Sequence, residues 1–82
     1  MELHFQFASS VSERVREDLV RRLKKQGARL VRPLFPGEGD PELAAIHVVE
    51  SDDGAGEELL RQLKSAKTVQ YAEVVPKRKL IR

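Results

Sequence analysis

Leu3, Phe5 and Phe7 alternate with His4, Gln6 and Ala8 at the start of the chain. That period of two predicts a strand with one buried face and one wet face. From Val11 the spacing changes. Val11, Val15, Leu19 and Leu23 recur every four residues, which predicts an amphipathic helix running to about Gln26. Ser10 and Glu13 stand at capping-box spacing, where each side chain satisfies the other's free backbone N–H. Glu17 with Arg21, and Asp18 with Arg22, are favourable pairs one turn apart, each contributing about 0.2–0.5 kcal/mol. Lys24 and Lys25 sit at the negative end of the helix dipole, and Gly27 can take the left-handed conformation that ends the helix.

Ala28 to Phe35 reads as a second strand. Pro33 has no backbone donor, so this strand is expected at a sheet edge. Pro36 to Pro41 is dense in Pro and Gly and predicts a loop. Leu43 to Glu50 is a third strand, with Ile46 and Val48 on one face and His47 and Val49 on the other. Ser51 to Gly54 predicts a turn, and Ala55 to Ala66 a second helix whose apolar face is Leu59, Leu60, Leu63 and Ala66. Glu57 and Glu58 near its start and Lys64 near its end match the dipole. Thr68 to Val75 is a fourth strand, and Pro76 leads into the basic segment Lys77 to Arg82.

The order strand, helix, strand, strand, helix, strand in so short a chain predicts an α+β, ferredoxin-like βαββαβ fold. Right-handed crossovers would place both helices on one face of a four-stranded antiparallel sheet. The other face has nothing in this chain to cover it. Residues 1–76 form the expected domain and 77–82 a C-terminal tail.

Composition narrows the functional classes. The chain has 82 residues and no cysteine, which excludes disulfides, thiol nucleophiles and thiolate metal sites. No span is long and apolar enough to cross a membrane, so no membrane partner is expected. The opening MELHFQF lacks the basic start and apolar run of a signal peptide. The chain is therefore expected to be cytoplasmic if it stands alone, and secreted if it is part of a protease precursor. Fifteen basic residues face thirteen acidic ones for a net charge of +2. That is weaker and less clustered than a nucleic-acid binder carries, apart from Lys77-Arg78-Lys79.

Candidate chemistry is sparse, and no enzyme activity is expected. His4 and His47 fall on neighbouring strands and are expected on the open face, without the further ligands a metal site requires. Ser9, Ser10 and Ser12 belong to the helix cap, and none stands at a recognisable spacing from a histidine. Gly37-Glu38-Gly39 and Gly54-Ala55-Gly56 lack the phosphate-loop lysine and are ringed by carboxylates, so no cofactor is expected there. Sheets of this kind that read RNA stack bases on aromatic residues of the middle strands. The third strand here has no aromatic residue, and nucleic acid is not expected as a partner. Acylphosphatases share the element order but carry a glycine-containing phosphate loop after the first strand. Here that stretch reads ASSVSER, with Arg14 but no glycine.

Most of the chain resembles the propeptide, or peptidase-inhibitor, domain of subtilisin-like serine proteases. The first strand LHFQF, the helix–glycine–strand step QGARLVRPL and the stretch LLRQLKSAKTVQYAEVVP carry the resemblance. In the last of these, Val69, Tyr71, Ala72 and Glu73 match the family's Val-x-Tyr-Val/Ala-Glu pattern. The resemblance implies an intramolecular chaperone and inhibitor whose partner is a subtilisin-like protease, in cis or in trans. It implies that the open sheet face packs on two helices of the protease, with Glu73 capping one helix N-terminus and Tyr71 in the same contact. Pro76, Lys77, Arg78, Lys79, Leu80, Ile81 and Arg82 would enter the substrate cleft as an extended strand. The family often has a second acid just after the matched Glu; here Val74 and Val75 stand there, which implies weaker inhibition. The alternative expectation is a ferredoxin-like regulatory or interaction module that self-associates through its open sheet face.

Overall fold

A computed structural model describes residues 1–75; the tail, and with it every expectation placed on Pro76 to Arg82, lies outside the described residues. The elements are β1 (Glu2–Phe7), α1 (Glu13–Lys25), β2 (Ala28–Pro33), α2 (Pro41–Ala44), β3 (Ile46–Ser51), α3 (Asp53–Ser65) and β4 (Val69–Val75). The strands form one antiparallel sheet in the order β2-β3-β1-β4. This is the α+β, ferredoxin-like arrangement that the element order predicts. β2 is an edge strand, as Pro33 requires.

One core holds the layers together. Leu3, Phe5 and Phe7 of β1 pack in a single buried cluster with Leu23 of α1, Val49 of β3 and Leu59 and Leu63 of α3. Both long helices therefore cover the same face of the sheet. Gly27 ends α1 with φ +118, and a Cβ there would come within 2.9 Å of the Ala55 Cβ, so glycine also permits the close approach of α3.

Several local expectations are corrected. The residue that caps α1 is Ser12, whose Oγ accepts from the Val15 N–H at 3.4 Å; Ser10 lies in the preceding turn. The α1 ion pair is Asp18 with Arg21 at 3.4 Å, in place of the two pairs a full turn apart. Val15 is 38% exposed and leaves the core to Leu23, with Leu19 and Val20 packed against it. The reason is geometric: four residues rotate about 40° past a full turn, so a strict four-residue stripe drifts off the buried face.

The third strand begins later than its apolar run suggests. Asp40 accepts the Glu42 N–H at 2.9 Å, and Pro41 occupies the first helical turn, so Pro41–Ala44 closes as the short helix α2. β3 starts only at Ile46 and extends through Ser51. β2 stops at Pro33, leaving Phe35 40% exposed. The second long helix starts two residues earlier than expected, at Asp53. Asp52 stands at its N-cap without a side-chain cap bond, and its carboxylate pairs with Arg29.

Candidate protein-binding face

Directly opposed residues of an antiparallel ladder share a sheet face. Phe5 opposes His47 and Ala72, so these belong to the helix-covered side. His4 opposes Val48 and Glu73, and Gln6 opposes Ile46 and Tyr71, so these form the other side. Glu2 opposes Glu50 and Val75, and Arg32 opposes Val48, extending the same open face across all four strands.

Tyr71 and Glu73 thus stand two residues apart on the open face of β4, the edge strand that leads into the tail, and both are exposed. Their placement depends on an irregularity. The register of β4 against β1 shifts between Gln6 and Phe7, so Phe7 faces Val69 while Gln6 faces Tyr71. Val69 is buried against the core, and Tyr71, only two residues on, points the opposite way. Val75 is on the same face as Glu73 and directly across from Glu2. A carboxylate at position 75 would meet the like charge of Glu2.

The open face is acidic. Glu2, Glu50 and Glu73 stand against Arg32, with His4 adding positive charge only when protonated. Glu2 and Glu50 are directly opposite each other, a like-charge pairing that an isolated sheet does not favour. The Glu2 carboxylate is 3.0 Å from His4 Nε2. Apolar surface interleaves with these charges: Leu30 is 38% and Tyr71 40% exposed, and Ile46 and Val75 are half-buried. Val48, between His4 and Arg32 in the ladder, is only 1% exposed. These partners of Glu73 are not visible as a group in the sequence, because strand register brings them together from three separate segments.

The two histidines do not share a face, contrary to expectation. His47 lies on the helix side, stacked on Phe5 with ring centroids 5.5 Å apart and edge-on to Phe7 at 5.1 Å. Parity explains it: His47 pairs with Phe5, whose face is fixed by the core. Burial depresses the His47 pKa below its usual value; the bond to the Ala45 carbonyl opposes this, and the charge of Arg16 adds to it. Among the described residues no three His, Cys, Asp or Glu side chains converge as a metal site would require.

No family model matches this chain, and no curated protein matches it.

Proposed function

We propose that the chain is a subtilisin-propeptide-like domain that assists the folding of a subtilisin-like serine protease and inhibits it. Its open sheet face docks on the protease and its last residues occupy the substrate cleft. The observation that carries this reading is the pairing of exposed Tyr71 and Glu73 on the open face of the strand leading into the tail. The surrounding charge supports it. A face with three carboxylates against one arginine complements helix N-termini, where free N–H groups and the dipole favour negative charge. The resemblance of the segment VQYAE to the family pattern assigns the same residues to the same contact.

The test is titration against the cognate subtilisin-type protease. Inhibition is expected at or below about micromolar concentration, and its absence there would refute the reading. Deleting Lys79 to Arg82 is expected to weaken inhibition while leaving the fold intact. Equal inhibition by the shortened chain would exclude the cleft-binding role of the tail.

Self-association through the open face is the second reading, favoured by the exposure of Leu30 and Tyr71. The face's negative charge opposes it, since two copies packed face to face bring six of these carboxylates, three from each copy, into one interface. A concentration-dependent dimer in sedimentation would establish it, and a monomer would exclude it.

A further inference from the structure

The helix-covered side of the sheet is not fully roofed. Between α1, α2 and β3 it leaves a cleft of about 480 Å³, within the roughly 300–1,000 Å³ range of small-molecule sites. His47 of β3 lines it, with Arg16 and Val20 on the α1 side and Ala44 on the α2 side. The apolar part of the lining thus adjoins a polar one.

The polar groups have capacity to spare. His47 Nδ1 lies 3.2 Å from the Ala45 carbonyl oxygen, which can only accept, so Nδ1 carries the proton. In the neutral ring that burial favours, Nε2 is then left with a free lone pair. The Arg16 guanidinium lies 5.2 Å from the centre of the Phe7 ring. Its Nε is shielded from solvent and has no hydrogen-bond partner among the described residues. Arg16 and Lys24 enter none of the ion pairs among those residues, whereas Arg21 is engaged by Asp18. A guanidinium that lines the cleft and has no ion-pair partner among the described residues is one that an oxyanion there can meet.

We propose that this cleft binds a small organic monocarboxylate. Arg16 and Lys24 take the carboxylate, and Val20, Ala44 and the His47 ring take the apolar body. The lining charge decides for one negative charge rather than two. Arg21 is engaged by Asp18, so Arg16 and Lys24 face Glu13 and Glu17 with no surplus of positive charge, and a dianionic phosphate would be brought close to those two carboxylates. This site is separate from the open sheet face and does not depend on the protease reading.

The experiment is an NMR titration of the full chain with benzoate, with benzylamine hydrochloride and inorganic phosphate as parallel probes. Benzoate is expected to shift Val20, Ala44 and His47 saturably in the millimolar range, and to raise the His47 pKa, because the added anion favours the charged ring. Arg16→Gln is expected to weaken benzoate about tenfold or more. Lys24→Gln, at an exposed position, is expected to weaken it by a smaller factor. Benzylammonium binding as tightly as benzoate would overturn the proposal, as would phosphate binding more tightly. So would the absence of localised shifts up to about 50 mM benzoate, or unchanged affinity in both variants.

Discussion

Gly54 and Gly56 lie in the first turns of α3, two residues apart, and the structure predicts opposite responses to the same substitution. At Gly54 a built Cβ meets nothing within 4 Å. Alanine there removes backbone freedom from the unfolded chain at no steric cost, so Gly54→Ala should stabilise by about 0.5–1 kcal/mol. At buried Gly56 a Cβ would collide with the Met1 Sδ and stand 2.9 Å from the Ser51 Oγ. Ser51 cannot easily yield. It is 4% exposed, and its hydroxyl donates to the Asp52 carbonyl at 3.0 Å. Overpacking of this kind costs roughly 1–3 kcal/mol, which outweighs the same helix gain. Gly56→Ala should therefore be destabilised by up to about 2 kcal/mol, and, since the helix gain is common to both, the two variants should differ by the overpacking cost of about 1–3 kcal/mol. In a domain of this size that is a Tm difference of about 4–24 °C. Urea unfolding followed by circular dichroism measures both, with an unchanged m-value showing that the compactness of the two states is preserved. Equal stabilisation by the two alanines would refute the packing described around Gly56.

Leu63 is fully buried in the common core, so Leu63→Ala should cost about 2–5 kcal/mol, enough to unfold much of a small domain at 37 °C, as thermal denaturation would show. Folding lowers the His47 pKa, so between the folded and unfolded values the unfolded chain binds more protons. That contribution to stability is complete above the unfolded value near 6.5 and is lost as pH falls through it towards the folded value. His47→Asn should flatten the change in urea midpoint between about pH 7 and pH 5, and an unchanged slope would count against the burial of the ring. Under the protease reading, Glu73→Gln should weaken inhibition by about 0.3–1 kcal/mol, or roughly two- to fivefold, with no change in Tm because the side chain is exposed. Loss of Tm without loss of inhibition would make Glu73 a structural residue.

The fold was legible because its strongest signals are local. Leu3, Phe5 and Phe7 declare their face by period, and Leu59 with Leu63 does the same for α3. Boundaries were less legible where two local signals compete. The apolar run Leu43 to Val49 reads as one strand, yet the Asp40 cap and Pro41 convert its first residues into a helical turn. The Asp-Pro-Glu sequence was the signal that could have shown this. The faces of His47 and Arg16 depend on register and helix phase, which join residues far apart in sequence. A single strand's alternation does not specify either.

The same limit applies most strongly to Tyr71 and Glu73, and there it bears on function. Val69 is buried in the core beside Phe7 at 9% exposure. Regular alternation from Val69 would send Tyr71, Glu73 and Val75 to that same helix side, with Glu73 in the place opposite Leu3 that Val74 now holds at 40% exposure. The register shift beside Gln6 prevents this. It keeps Val69 in the core, returns Ala72 to the covered side opposite Phe5, and turns Tyr71, Glu73 and Val75 outward beside Glu2. One irregular step in the ladder therefore decides which face of the sheet carries the carboxylate of β4 and whether Tyr71 stands beside it on the open side.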